Sequence, residues 1–213
     1  MMRILLFFLK RTRRVQPAQL PSFAAELQQI FPLIQQQYKQ FKKEHADGLR
    51  PIDEVSYDQE SLNKDKKWKA GFLFAYGHVN EKIMSFFPEL KSLVNNAPEI
   101  QLMFFSTLEP GKHIAPHEGR NLSVFRLQMG IDVMNPEQTE LRVSNIRTKL
   151  KEGEVFVFDD TFEHEAFNQG PTDRTVLIID YEKPLIFPFN LLNKKYIKQI
   201  STSSYILDAV KRW

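Results

Sequence analysis

Chemistry in this chain has to come from histidine, arginine and carboxylate side chains, because the sequence contains no cysteine. That excludes disulfides, thiolate zinc sites, iron–sulfur clusters and a cysteine nucleophile together. Of the five histidines, His45 ends a polar helical segment and reads as solvated, and His78 lies in Tyr76-Gly77-His78 with no evident partner. The other three, His113, His117 and His164, fall among short apolar segments of the second half. His117 follows Pro116 in a loop leading into a long alternating strand, and His164 opens a strand just after the acidic turn Asp159-Asp160-Thr161. Two neutral imidazoles on neighbouring strands can coordinate one metal ion. Taken singly, a strand histidine is more often structural than a ligand.

Arginine adds to this. On the strand beginning at Arg174, the alternating residues Val176, Ile178 and Asp180 share its face. An arginine heading an otherwise apolar inner face is costly to bury unless it meets an anion. Arg126 occupies a similar place on the Asn121–Val133 segment. Both arginines either pair with internal acids, with Asp180 and Asp132 as candidates, or hold a carboxylate ligand. Spacing leaves the two readings open.

The elements that must position these groups follow from periodicity. Phe23, Leu27, Ile30, Phe31, Ile34, Tyr38 and Phe41 recur at three- and four-residue spacing and predict a helix over 17–46. Residues 47–67, with Gly48, Pro51 and the cluster Lys64, Lys66 and Lys67, read as a solvated connection. A second helix is expected over Asn80 to Val94, either ended halfway or kinked by Pro88. From Ile100 the period changes to two. Strands are expected at Ile100–Leu108, at Asn121–Val133, in a hairpin around Ser144-Asn145, and at Glu154–Phe158, Glu163–Asn168 and Arg174–Tyr181. On Asn121–Val133, Phe125, Leu127, Met129 and Ile131 face one way and Arg126, Gln128 and Gly130 the other. Six or seven short strands separated by turns predict an antiparallel sandwich or barrel.

The chain has 213 residues, 42% of them hydrophobic and 26% charged, with 18 phenylalanines, which is ordinary globular composition with bulky core filling. The expected organisation is a single domain over 1–213: a helical and connecting region at 1–99, a β-core at 100–185 and a basic tail at 186–213. Net charge is +3 but unevenly spread. Residues 1–14 hold five basic side chains and no acid, and residues 190–213 hold five and one acid, so the ends sum to +9 and residues 15–189 carry −6. An acidic body argues against nucleic acid as a partner. Ile4–Leu9 is a six-residue apolar run, far short of the roughly 20 residues of a membrane span. It reads as a short buried segment, or as an apolar hook with a basic collar resting on an anionic membrane surface. The absence of cysteine fits a reducing compartment, so the expected location is cytoplasmic or membrane-peripheral.

The stretch Ser106 to Asp180, roughly a third of the chain, resembles the aspartyl/asparaginyl β-hydroxylase family of iron(II)- and 2-oxoglutarate-dependent dioxygenases. The matching text is Pro110-Gly111-Lys112-His113-Ile114-Ala115-Pro116-His117-Glu118-Gly119, then Asn121 and Arg126-Leu127-Gln128-Met129-Gly130. It resumes at Gly153-Glu154-Val155-Phe156-Val157-Phe158-Asp159-Asp160-Thr161-Phe162-Glu163-His164-Glu165 and runs through Asn168 to Arg174–Asp180. The block ending in Phe-Asp-Asp-Thr-Phe-Glu-His-Glu, with an arginine ten residues after its histidine, is the specific part. The resemblance implies a mainly β (α+β) fold with N-terminal helices on a double-stranded β-helix core of the jelly-roll or cupin kind. It implies metal ligation by His117 and His164 and a clamp at Arg174 for the distal carboxylate of 2-oxoglutarate. Ser106 and Arg126 match positions that help hold the cosubstrate. Gln128 stands where one relative has a histidine near the metal. His113 matches the pattern without any need to touch metal.

Most such sites add a carboxylate two residues after the first histidine. Here that residue is Gly119, and Glu118 points to the opposite side of an extended segment. Within the family, water can take that place; in related halogenases a halide does. An aspartate supplied at position 119 is expected to reach the metal. The function implied by the resemblance uses Fe(II), 2-oxoglutarate and O2 to hydroxylate an unactivated C–H bond and releases succinate and CO2. The substrate would be aspartyl/asparaginyl-type or an acyl chain, hence a small molecule, peptide or lipid, and the basic ends favour a membrane-associated acyl chain reached by peripheral contact through the N-terminus. Two other classes stay open. One is a non-catalytic β-helix module binding a metal or small acid. The other is a zinc hydrolase using Glu118, Glu163 or Glu165 as general base.

Overall fold

The computed structural model describes every residue except Met1, Thr12 and Ala18. Of the five basic side chains expected to form the collar, those of Arg3, Lys10 and Arg11 also fall outside the described ones, while Arg13 and Arg14 are described. The apolar run near the start forms α1 (Met2–Arg11), which buries Leu5 and Leu9 one turn apart and leaves Ile4 and Phe7 exposed. The next helix, α2 (Ala24–Glu44), begins seven residues later than its periodicity suggested. Pro17 and Pro21 fall in the irregular stretch before it, where neither has to supply a helical N–H.

The 47–67 segment is more ordered than a solvated connection. It contains β1 (Arg50–Pro51), α3 (Ile52–Val55) and two short 3-10 turns, and Ile52, Asp53, Val55 and Asn63 are buried. Asp53 organises it, accepting a 2.7 Å hydrogen bond from Asn63 Nδ2 and pairing with Lys66 of the lysine cluster. A strand that periodicity did not reveal follows, β2 (Trp68–Ala75), and then β3 (His78–Val79). The second helix is two helices, α4 (Glu81–Met84) and α5 (Pro88–Asn96). Pro88 starts α5, where a missing N–H costs nothing.

The remaining strands are β4 (Ile100–Leu108), β5 (His113–His117), β6 (Val124–Val133), β7 (Thr139–Val143), β8 (Ile146–Thr148), β9 (Val155–Phe158), β10 (His164–Asn168) and β11 (Arg174–Glu182). Two helices close the chain, α6 (Phe189–Ser201) and α7 (Ser204–Val210). From β4 onward the strands divide between two antiparallel sheets. One contains β4-β11-β6-β9, extended by β2 and β1; the other is β5-β10-β7-β8. Apart from the β7–β8 hairpin, the chain passes back and forth between the sheets, which is the winding of a double-stranded β-helix. Ser144, at φ 53°, turns the β7–β8 hairpin.

Each face of the larger sheet has its own core. Leu127, Met129 and Ile131 of β6, with Met103, Phe105, Leu177 and Ile179, pack against α2 and α5. The opposite face, with Phe104, Leu108, Val176 and Ile178, meets Ile114, Leu141, Val143 and Ala166 of the smaller sheet. The period-two assignment of β6 thus separates helix-facing residues from those lining the space between the sheets. The second group, which includes Arg126 and Gln128, is where chemistry can be done.

Candidate active site

His117 ends β5 and His164 begins β10, and the two are direct cross-strand partners. Their rings lie 4.2 Å apart between centroids at 49°. His117 Nδ1 donates to the Ala115 carbonyl at 2.8 Å, and His164 Nδ1 donates to the Phe162 carbonyl at 2.9 Å. Since a carbonyl only accepts, each Nδ1 carries the ring proton and each Nε2 keeps its lone pair. Burial lowers both pKa values. For His164 the fall reaches about 3, with the neighbouring His117 and Arg126 adding to it; for His117, Arg126 also contributes. Both rings are therefore neutral near pH 7, the state a metal ion requires. Among the described residues no group of three or more histidine and carboxylate side chains is placed to hold a metal ion, so the donor set is two imidazoles. Imidazole pairs suit iron along with zinc, copper and nickel, so these residues fit such an ion.

The two arginines that spacing could not tell apart have opposite surroundings. Arg126 donates from Nε and Nη2 to the two carboxylate oxygens of Asp180, each at 2.7 Å, and Nη2 also lies 3.2 Å from Asp160 Oδ2. Burial works to lower its pKa, but Asp180 and Asp160 outweigh it and the net direction is upward. Arg126 is thus an internal ion-pair residue, engaged by two acids through Nε and Nη2. Arg174 is 3% exposed, and no hydrogen bond or ion pair reaches its side chain among the described residues. Its Nε is buried without a partner, and burial alone pushes its pKa down to about 10. Asp132, the other acid considered, pairs with Lys42.

Ser106 lies beside Val176 in the β4–β11 ladder, and its Oγ accepts a 3.0 Å hydrogen bond from Trp68 Nε1. Gln128 is buried with its Oε1 unpartnered. Gly119 is explained by Asp160. Its N–H donates to the Asp160 carbonyl at 2.7 Å, and a Cβ added at 119 would overlap the Asp160 carboxylate. The space into which a side chain at 119 would grow is already occupied by an acid from the far side of the turn. An aspartate introduced there would have to displace Asp160 before reaching anything, which corrects the expectation from sequence. Burial raises the Asp160 pKa to about 6 against the pull of Arg126.

The acids invoked for hydrolysis sit elsewhere. Glu163 and Glu165 pair with Arg142, Glu165 also accepts from His113 at 2.8 Å, and Glu118 is exposed. His113 accordingly belongs to an outer cluster.

Three contributors escaped sequence reasoning: Trp68, Asp160 and the segment 13–16. Arg13 donates to the Thr161 carbonyl and lies 4.3 Å over the Phe162 ring. The Asp159 N–H donates to the Val15 carbonyl at 2.9 Å, and Gln16 Nε2 to the Val157 carbonyl at 3.3 Å. From the other end of the chain, Lys183 Nζ donates to Asp159 Oδ2 at 2.6 Å, while Asp159 Oδ1 takes the Thr161 N–H and hydroxyl. The turn before His164 is thereby clamped from both sides. Only the acidic run Asp159-Asp160 hinted at this.

A double-stranded β-helix with two neutral histidines on one rung and an unmatched buried arginine in the same core defines the class. Residues 25–184 match the family described as Aspartyl/Asparaginyl beta-hydroxylase, and the chain belongs to that family. It is 31% identical over 195 residues to the ornithine lipid ester-linked acyl 2-hydroxylase of Rhizobium tropici, covering 90% of this chain and 69% of that protein. It is 27% identical over 165 residues to the aspartyl/asparaginyl beta-hydroxylase of Homo sapiens, covering 73% of this chain but 22% of the much longer human protein. Among solved structures, the cupin domain of an XRE-family regulator from Enterobacter cloacae aligns over 55% of this chain and 98% of that one, at 12% identity and a TM-score of 0.38. The Schizosaccharomyces pombe Cnp3 cupin domain aligns over 61% and 71%, at 12% identity and 0.39. The fold assignment rests on strand order, which is independent of these alignments.

Proposed function

We propose that the chain is an iron(II)- and 2-oxoglutarate-dependent hydroxylase acting on an acyl chain. The observation that carries this reading is Arg174, a buried cation without a counter-charge in the core that also holds two neutral, metal-competent imidazoles. A buried arginine is stable in that position when an anion completes it, and a dicarboxylate cosubstrate supplies one. His117 and His164 would hold the metal through Nε2, with their Nδ1 protons fixed by backbone carbonyls. Arg174 would fix the far carboxylate of 2-oxoglutarate, and Ser106, with its Trp68 partner, and Gln128 offer polar groups in the same core. When bound, the metal and cosubstrate supply the oxidation by O2 that yields succinate, CO2 and a hydroxylated carbon. The protein contributes orientation and a water-poor interior in which charge-assisted bonds are strong.

The acyl substrate is supported by the Rhizobium relative, whose similarity extends over 90% of this chain. The test supplies purified protein with iron(II), ascorbate and 2-oxoglutarate and measures succinate, then searches a lipid extract by mass for the gain of one oxygen atom. Metal-dependent succinate formation and an oxidised acyl chain are expected. No succinate under any lipid condition would instead leave a β-helix that binds a metal or small acid without turnover.

A further inference from the structure

The helices at the two ends of the chain meet and leave an apolar surface facing outward. α1 packs on α6, with Phe8 stacked on Phe189 at 3.8 Å between ring centroids. A helix on a protein surface ordinarily places polar residues outward, yet α1 exposes Ile4 and Phe7, each 62% accessible. Beside it, the loop entering α6 exposes Ile186 and Phe187 at 72% and 75%, and α6 adds Leu191 at 55%. Five large apolar side chains on two packed segments are more than the scattered exposure usual for a soluble surface.

The sequence segments that carry these residues are basic. Residues 1–25 and 183–207 together hold nine basic side chains and no acid, so with a net charge of +3 the rest of the chain carries −6. On α6 the exposed residues Lys194, Lys195 and Lys198 follow Leu191 at helical spacing, forming a stripe that starts apolar and continues basic. Arg14 is exposed at the end of the neighbouring segment. Apolar side chains beside exposed lysines, which outnumber the one half-buried acid bonded to α6, Glu182, match the interface of an anionic bilayer, where side chains enter the acyl boundary and cations meet headgroups. No helix among the described residues is long and apolar enough to cross a membrane, so the contact would be peripheral.

We infer that this α1–α6 face docks the protein on an anionic lipid surface. The face is also connected to the catalytic turn. The chain leaving α1 becomes the segment in which Arg13 and Val15 bond to Thr161 and Asp159, directly before His164. Docking therefore sets the site's turn at a fixed place relative to the membrane. The docking surface stands on its own observations; that it presents an acyl chain to the metal rests on the function proposed above.

Vesicle binding tests the docking without any turnover, so it fails or succeeds separately from the hydroxylase reading. The full chain is sedimented with vesicles of phosphatidylcholine alone and with phosphatidylcholine containing phosphatidylglycerol. Binding to the anionic vesicles is expected, with far less to the neutral ones. The triple variant Lys194→Gln/Lys195→Gln/Lys198→Gln should bind about 100-fold more weakly, at about fivefold per cation lost. Ile186→Ser/Phe187→Ser, at positions already exposed, should lower binding by at least about 100-fold. In Phe187→Trp, tryptophan emission should shift to the blue on anionic vesicles. Wild-type protein that stays in the supernatant, or variants that bind as wild type does, would overturn the inference. It is also overturned if the serine variant turns a dimer into a monomer by light scattering while vesicle binding is unchanged, since the face would then join two copies of the chain.

Discussion

Replacing Arg174 by methionine should move stability and cosubstrate affinity in opposite directions. The side chain is buried, carries no ion pair, and has its pKa pushed from 12.5 down to about 10 by desolvation alone. At about 1.4 kcal/mol for each tenfold change in acidity, the uncompensated cost of the buried charge is about 3 kcal/mol. Methionine fills similar space without that cost, so the metal- and cosubstrate-free protein should gain up to about that much. For a domain of this size, each kcal/mol shifts Tm by about 2–4 °C. Affinity for 2-oxoglutarate should fall, because losing one partner of a buried charged pair costs about 2–5 kcal/mol, or about 30- to several-thousand-fold. The assay is thermal unfolding with manganese(II) as a redox-silent metal, with and without 2-oxoglutarate. Wild type should melt higher when the cosubstrate is added, following its binding free energy. The methionine variant should melt higher than wild type without cosubstrate and respond little to it. A variant that is less stable and still fully responsive would mean that Arg174 has a protein counter-ion and that the cosubstrate carboxylate binds elsewhere.

Other expected outcomes follow from the same geometry. His117→Ala and His164→Ala should each abolish the rise in Tm produced by manganese(II) or iron(II) while keeping the far-UV circular dichroism of wild type; a variant that retains the metal response would remove that histidine from the ligand set. Gly119→Ala should destabilise the protein by about 2 kcal/mol or more, because its Cβ displaces the Asp160 carboxylate from Arg126; denaturant unfolding within 0.5 kcal/mol of wild type would sink this account. Without metal, stability should fall as pH drops below about 6.5. The unfolded chain then takes up a proton at His164 that the folded site, with its pKa near 3, refuses, and the slope contributed is up to about 1.4 kcal/mol per pH unit. His164→Asn should flatten stability between pH 6.5 and 5, and an unchanged slope would mean that another group is responsible.

The parts of the fold that were legible in the sequence are those whose local pattern and tertiary role agree. β6 alternates because one face meets α2 and the other meets the smaller sheet, so its period of two was visible. β2 was not visible because it is covered on both sides: its residues are buried almost throughout, and a near-continuous apolar run behind a lysine cluster shows no alternation. The end of α2 was placed within two residues and its start was not, since hydrophobic spacing continues past the point where Pro21 and the following turn prevent a helix. His117 and His164 were singled out by motif, and their adjacency comes from strand pairing across 47 residues of sequence. Arg126 and Arg174 looked equivalent because each heads an apolar face; only the fold brings Asp160 and Asp180 to the first and leaves the second without an acid. The grip of Arg13 on Thr161 spans 148 positions and leaves no local trace.

The rung that joins His117 to His164 has a consequence for how such a protein can diversify. The two imidazoles are placed by backbone pairing of β5 with β10, and β10 is held in turn along its whole length by β7. A one-residue slip would turn a strand's side chains to the opposite face, so register is under strong constraint. The segment that leads away from the rung after β5, residues 120–123, contributes neither ring. Inherited changes in length or composition there can reshape what approaches the two histidines without moving them. A lineage built this way can exchange one substrate for another by altering that loop, while the pair of histidines passes through unchanged.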